Sequence, residues 1–473
     1  MKIVILHYHL KPGGVTTVIR QQVTALLGQC DTLVICGEKP PLPFSGKLAV
    51  VPGVGYDIPG KKIISPKQVA REINDAIYKT WPSGCDLIHV HNPLLAKNRC
   101  FLKTLSVLAK SNIPLFLQVH DFAEDGRPHA LYHDRDYPEN CHYGVINGKD
   151  YSIMKSAGLD PAGLHLIPNM VNPLTAAKGN KTDKKLVVYP VRAIRRKNIG
   201  EAILLSLFFD QDTNLAITLG PNSPIDFPIY ECWKNFCTKN KLPVIFEAST
   251  RYGFDALVES CEAMLTTSIS EGFGFSFLEP WTAGKGLVGR RLDLCSDFEE
   301  KGICLDSLYK RISIPLNWID EPGFANKWKK SFKTAGEQRA VIFSIEEIKE
   351  AYESVTRDGT IDFSLLDEST QMTVIKKIMS DSRISARFSD LNPFIHEIMS
   401  IKDKRGIIAA NRSAILKNFG QGTYAKRLKE IYSRVCSHAV KQKIDREKIA
   451  RAFIRPAVFS LLKWGDYEIP CKL

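Results

Sequence analysis

The feature that most constrains this chain is an alternation that occurs twice along it. Short apolar runs, each about one strand long, are separated by segments whose apolar residues recur at helical spacing. In the first half the strand-like runs fall at 2–8, 32–37, 86–91, 113–119, 144–147 and 164–168. A second set opens at Leu186-Val-Val-Tyr-Pro190 and continues near 214–219, 243–247, 263–269 and 286–289. Helices are expected between these, near 198–209, 226–239 and 252–262. Strands that alternate with helices return through crossovers, and so build a parallel sheet covered on both faces. The expected class is therefore α/β. Between the two sets, Pro168-Asn-Met-Val-Asn-Pro173 and the polar Lys178-Gly-Asn-Lys-Thr-Asp-Lys-Lys185 break both periodicities, which puts a domain boundary there. We expect an N-terminal domain over 1–175, a second domain over 185–400, and a basic helical tail over 401–473 as a candidate to pack back across the junction.

Length and composition agree with more than one core. A chain of 473 residues with 44% hydrophobic residues exceeds one ordinary domain and can bury sizeable interiors. Its longest aliphatic run, Ala202-Ile-Leu-Leu-Ser-Leu-Phe-Phe209, is far short of a membrane span. The sequence opens on a strand, Lys2-Ile-Val-Ile-Leu6, without a signal-peptide pattern, and a cytoplasmic setting is expected. The 12 cysteines form no C-x-x-C, and Cys36 and Cys85 beside apolar strands read as thiols of a reducing compartment. The net charge of +13 is concentrated at the end, where 401–473 hold 17 Lys and Arg against 6 Asp and Glu. These charges interleave with Ile444, Ile449, Phe453 and Ile454 at helical spacing. A solvated helix face and contact with an anionic membrane or polyanionic acceptor both remain open. Only the charge excess favours nucleic acid, which is not an expected partner.

The densest chemistry lies in Ser268-Ile-Ser-Glu271-Gly-Phe-Gly-Phe-Ser-Phe-Leu-Glu279-Pro-Trp-Thr-Ala-Gly284-Lys285. It reads as strand, glycine-punctuated turn, then helix, an arrangement that turns backbone N–H groups toward an anionic ligand at the carboxyl edge of a sheet. Gly272 and Gly274 would let the backbone approach that ligand closely, with Phe273 and Phe275 between and after them. Glu271 and Glu279 would stand about 12 Å apart along a helix axis, too far for an acid/base pair. They suit two parts of one extended ligand; two solvated acids is the other reading. Upstream, Val191-Arg192-Ala-Ile-Arg-Arg-Lys197-Asn198 runs from strand to helix and offers Arg192 and Lys197 to a diphosphate. Asp210-x-Asp212 lies at the wrong sheet end for a metal and reads as a surface turn.

In the first domain, Gly13-Gly14 follows the first strand, a weak phosphate-approach signal with a flexible turn as the alternative. Histidines end two later strands, in Ile88-His89-Val90-His91-Asn92-Pro93 and Leu117-Gln118-Val119-His120-Asp121-Phe122-Ala123-Glu124-Asp125-Gly126-Arg127. His120, Asp121, Glu124, Asp125 and Arg127 should gather at the ligand-binding edge, with helix capping as the plainer role for Asp121. His89 and His91 share a strand face but lack a third ligand, so no metal is expected.

Together these strings resemble the retaining glycosyltransferases of family 4, whose GT-B fold has two Rossmann-like domains facing a cleft. The likeness covers about residues 1–290 and rests on Gly13-Gly14, Val119-His120, Ile167-Pro168-Asn169, Arg192 with Lys197, and the E-x7-E spacing of Glu271 and Glu279. Met170 and Asn172 depart from the family's pattern at the linker. The resemblance implies that Arg192 and Lys197 hold the donor diphosphate, that Gly13 and Gly14 line its phosphate loop and that His120 contacts the transferred sugar. It implies that Glu271, with Gly272, Phe273, Gly274 and Phe275, meets that sugar, and that Glu279 holds the ribose. No cofactor is implied beyond a UDP-, GDP- or ADP-sugar as co-substrate.

The expected activity is transfer from a nucleotide-diphosphate sugar to a hydroxyl acceptor (a sugar, a lipid-linked glycan or a small polar molecule), retaining and metal-independent. Asp121, Glu124, Asp125 and Arg127 are the candidate acceptor wall. A catalytically weak sugar-nucleotide-binding or scaffold protein at a polyanionic surface is the competing reading.

Overall fold

The computed structural model describes residues 1–60, 63–111, 113–132, 136–174, 184–398 and 405–469. Most of the polar linker read at 178–185 lies outside the described residues. The chain divides into two compact units. Unit 1 comprises Met1–Val171 and Lys417–Phe453, and unit 2 comprises Asn172–Leu416 and Ile454–Leu473.

Unit 1 is built on seven strands: β1 (Lys2–Leu6), β2 (Asp31–Cys36), β3 (Lys47–Val50), β4 (Leu87–His91), β5 (Leu115–Val119), β6 (His142–Val145) and β7 (Leu164–Leu166). Their spatial order is β3-β2-β1-β4-β5-β6-β7, with parallel pairing throughout. Ile3, Val4, Ile5 and Leu6 are wholly buried, as a central strand covered on both faces requires. Sequence reading missed β3, a largely exposed edge strand of four residues whose apolar run, Leu48-Ala49-Val50, is too short to stand out. The helices follow local rules. In α2 (Pro66–Thr80; α1 is Gly14–Leu26), Ser65 caps the first turn by accepting from the Gln68 N–H at 3.3 Å, Pro66 takes the first position, and Val69, Ile73 and Ile77 bury one stripe.

Unit 2 repeats the plan with β8 (Lys185–Arg192), β9 (Thr213–Leu219), β10 (Val244–Ile245), β11 (Cys261–Thr266), β12 (Gly286–Arg290) and β13 (Leu308–Tyr309), in the order β10-β9-β8-β11-β12-β13. The stretch 293–398, whose sequence pattern turns irregular and then largely helical, adds an antiparallel pair, β14 (Ser313–Pro315) with β15 (Thr360–Asp362), and the helices Glu321–Glu337, Ile345–Thr356, Glu368–Ser380 and Ser382–Leu391. Buried Arg290 ties this region to the sheet, donating to Glu201 at 2.7 Å and to Asp362 at 2.8 Å.

The segment 401–473 is not one tail. Helix Gln421–Ser437 packs against α1, β4 and β5, and its Tyr424, Leu428, Ile431, Tyr432 and Val435 enter the core of unit 1. Beyond Phe453, Ile454, Phe459 and Leu461 enter the core of unit 2. Cys36 is a buried free thiol and Cys85 a half-buried one. Among the described residues, no helix is long and apolar enough to cross a membrane.

Candidate functional site

Each sheet has a topological switch point, where the chain leaves adjacent strands in opposite directions: between β1 and β4 in unit 1 and between β8 and β11 in unit 2. In open parallel sheets ligands collect beyond the carboxyl ends of such strands. The candidate residues are found there, in two groups.

In unit 2, β8 ends at Arg192 and runs through the one-turn helix Arg195–Lys197. Asn198 takes a left-handed conformation (φ 49°) that redirects the chain into the helix Ile199–Ser206. The Lys197 carbonyl accepts from the Tyr189 hydroxyl at 2.7 Å and from Thr267 Oγ1 at 3.2 Å, which clamps the loop to the end of β11. The Lys197 ammonium then forms an ion pair with Glu271. Arg196 reinforces the turn, donating from Nη1 to the Ser270 carbonyl at 3.2 Å. Burial works to raise the Glu271 carboxyl, but Lys197 and Arg196 outweigh it and hold it below the usual carboxylate range. Burial lowers Lys197, and Glu271 offsets part of that shift. Arg192 is exposed at the strand end, whereas Arg195 is buried against Glu368 at 2.6 Å and serves the fold.

Beyond Glu271 the expected long helix is absent. Gly274 adopts φ 87°, where a Cβ would also meet Leu294 and Phe277 at under 3 Å, so only glycine fits. A single 3₁₀ turn covers Phe275–Phe277, and a helix of four residues covers Glu279–Thr282. Gly284 (φ 73°) ends it, with the Lys285 N–H donating to the Pro280 carbonyl at 3.0 Å. Glu279 thus opens a short helix instead of lying within a long one, and a long helix dipole is not available. Its carboxyl has no hydrogen-bond or ion-pair partner among the described residues, and burial pushes it up to about 7. Phe273 is buried edge-on to Phe275 and serves packing, while its backbone belongs to the turn.

In unit 1, β1 leads through His7–Gly13 into α1. A Cβ on Gly13 would meet only the Lys11 carbonyl oxygen at 3.9 Å, and one on Gly14 nothing within 4 Å, so the turn presents open backbone. His120 ends β5, its N–H donating to Asn92 Oδ1 at 2.7 Å, and Asn92 is itself left-handed (φ 51°). Asp121 caps none of the helices among the described residues. It receives Asn92 Nδ2 at 3.2 Å and Arg127 Nη2 at 2.6 Å. Glu124 does not serve an acceptor wall: it is 1% exposed and accepts from Tyr137 at 2.7 Å and Arg446 at 3.4 Å, inside unit 1. Asp125 and Arg127 are half-buried at this edge. His89 and His91 are fully buried, and no cluster of His, Cys, Asp or Glu among the described residues could hold a metal ion.

Sequence reasoning missed Arg196, whose place in a basic run hid its contact, and Lys463, which donates to Ser270 Oγ at 3.3 Å. No local signal pointed from residue 463 to this loop. It also missed Gln22 and Tyr424, which stand behind the histidines.

No family model matches the chain. It is 27% identical over 369 residues to the mannosylglucosyl-3-phosphoglycerate synthase of Petrotoga mobilis, covering 70% of this chain and 71% of that protein. Among solved structures it resembles HepE of Anabaena in complex with UDP and glucose, at TM-score 0.50 and 13% identity over 92% of this chain and 99% of that one. It also resembles a glycosyltransferase from Rickettsia africae, at TM-score 0.51 and 11% identity over 92% and 99%. With two Rossmann-like units on parallel sheets, the fold is GT-B.

Proposed function

We propose that this chain, a glycosyltransferase of GT-B fold, moves a hexosyl unit from a nucleotide-diphosphate sugar to an acceptor hydroxyl, with retention and without a metal ion. The observation that carries this reading is the Lys197–Glu271 pair at the switch point of unit 2, flanked by Arg192 and Arg196, with the Glu279 carboxyl, unpartnered among the described residues, eight residues on. As the glycosidic C–O bond breaks, the electron pair goes to the diphosphate. Arg192, Arg196 and Lys197 stabilise the charge where it develops, the task that a divalent ion would otherwise serve. Glu279 accepts from ribose hydroxyls, and Glu271 with the turn at Gly272–Phe275 receives the sugar. The acceptor oxygen attacks on the face that the diphosphate leaves and its proton passes to the departing phosphate oxygen, so configuration is retained.

The name of the Petrotoga relative supports an acceptor carrying an anionic group. Lys97, half-buried and without a side-chain partner among the described residues, suits this. The Ala96–Ala130 backbone hydrogen bond of 2.8 Å brings its loop beside that of Arg127. Asp121 and Asp125 then serve acceptor hydroxyls. The reaction is placed in the cytoplasm, with exposed Lys417, Lys426, Lys429 and Arg434 offering contact with an anionic bilayer.

UDP-sugars head the list of donors, since HepE was crystallised with UDP-glucose. The test is a thermal-shift panel of UDP-, GDP- and ADP-sugars, with and without EDTA, on wild type and Glu279→Ala. One nucleotide sugar should stabilise the wild type alone, unchanged by EDTA, and the anomeric configuration of the product should match the donor. A flat response to every donor would sink the reading.

A further inference from the structure

Behind His120 runs a connected set of buried polar side chains that sugar transfer does not by itself require. His120 Nε2 meets His91 Nδ1 at 2.8 Å, and His91 Nε2 meets Gln22 Oε1 at 3.0 Å. The Gln22 amide nitrogen donates to Gln118 Oε1 and to the Tyr424 hydroxyl, each at 2.9 Å. Gln118 Oε1 also meets His89 Nε2 at 2.9 Å, and His89 Nδ1 meets the Tyr432 hydroxyl at 2.8 Å. Gln22, His89, His91 and Gln118 are wholly buried.

We infer that Gln22, acting through His91, sets the tautomer of His120, so that His120 presents a bare Nδ1 which accepts a hydrogen bond from a substrate hydroxyl. The polarity follows from counting protons. With the Gln22 amide nitrogen committed to two oxygens, its carbonyl oxygen is the atom that faces His91, and it accepts from His91 Nε2–H. A neutral His91 then has a bare Nδ1, which accepts from His120 Nε2–H. A neutral His120 is left with an unprotonated Nδ1, and that nitrogen has no hydrogen-bond partner among the described residues. Burial keeps both rings neutral. It drives His91 well below its usual value, and it lowers His120 to about 4 against the opposing pull of Asp121. The same polarity serves the far end, where the Tyr432 hydroxyl donates to His89 and His89 Nε2–H donates to Gln118.

This makes Gln22 and His91 positioning residues for His120, and it gives the returning segment of unit 1 a role. Tyr424 and Tyr432 stand eight residues apart on helix Gln421–Ser437, and both reach the network with their hydroxyls. The reversed polarity, with both amides turned over, would end in a proton on His120 Nδ1 and make it a donor. That one proton separates the two arrangements.

The inference rests on the transfer reading for the purpose of the bare nitrogen, but its test does not. Long-range 1H–15N spectra of the full chain, labelled in histidine and taken near neutral pH, report which imidazole nitrogen carries hydrogen; loss of signals in His120→Gln assigns the pair. The expected result is a protonated Nε2 and a bare Nδ1 on His120. In Gln22→Leu the two shifts should move toward an average, and kcat should fall by about ten-fold or more with a smaller change in donor KM. A proton on His120 Nδ1 in the wild type would overturn the inference whether or not Gln22→Leu folds. So would an unaltered tautomer in folded Gln22→Leu. Absence of any transfer would count against the proposed function and leave the spectra to decide this point.

Discussion

At the scale of residues, the two acids of the unit 2 loop behave oppositely because one has cations beside it and the other has none among the described residues. Lys197 and Arg196 hold Glu271 ionised, while burial alone raises Glu279 to about 7. The sign for stability follows. The folded chain keeps the Glu279 proton in a range where the unfolded chain, with an ordinary value of 4.5, has lost it. Stability from this group is therefore lost as pH rises from about 4.5 to 7, and Glu279→Gln should flatten that decline in denaturant titrations. In the donor-binding reading the ionised carboxylate is the better acceptor for ribose hydroxyls, so donor affinity measured by calorimetry should tighten between about pH 6 and 8 in the wild type only. An identical pH profile in Glu279→Gln would detach the residue from the donor. For the ion pair, Lys197→Met strands a buried carboxylate, which costs about 3 kcal/mol, and the double variant Lys197→Met/Glu271→Gln should recover part of it in a double-mutant cycle. Turnover should remain low in both.

At the scale of elements, the loops decide more than the helices do. Gly274 and Gly284, both at positive φ, limit the helix after Glu271 to Glu279–Thr282. The sequence pattern, strand then turn then helix, does not show how short that helix is. The opposite happens with Gln421–Ser437, where a stripe of Tyr424, Leu428, Ile431, Tyr432 and Val435 finds a matching surface on α1 and the sheet of unit 1. Leu428 is wholly buried there. Leu428→Ala should cost about 2–5 kcal/mol, from lost transfer energy and the cavity left behind, measured by chemical denaturation. A change of only a few tenths would mean that the helix lies on unit 1 without completing its core.

At the scale of the whole molecule, each unit is discontinuous in sequence. Residues Lys417–Phe453 finish unit 1, and Ile454–Leu473 belong with unit 2. Removing 417–473 strips Leu428 and Tyr432 from one core and Phe459 and Leu461 from the other. The truncated chain is expected to lose cooperative unfolding and to accumulate in the insoluble fraction. A soluble truncation with an unchanged melting midpoint would show that neither core depends on the returning segments.

The sequence by itself determined the two parallel sheets, because strands buried on both faces must be apolar throughout and helices must carry a stripe, and both patterns are local. It also determined at which sheet edge the candidate residues stand, since the residues after a parallel strand fall at one known edge; the places of Gly13, His120, Arg192 and Glu271 beyond strand ends were legible for that reason. Only the tertiary structure decided what those side chains do to one another. The Lys197–Glu271 pair joins positions 74 residues apart, the commitment of Glu124 to Tyr137 and Arg446 spans two segments of unit 1, and the contact between Gln22 and Tyr424 joins positions 402 apart. The basic tail shows the limit most plainly. Its helical period could be read, but not its destination, because an apolar stripe states that a face will be buried and leaves the complementary surface to the rest of the fold.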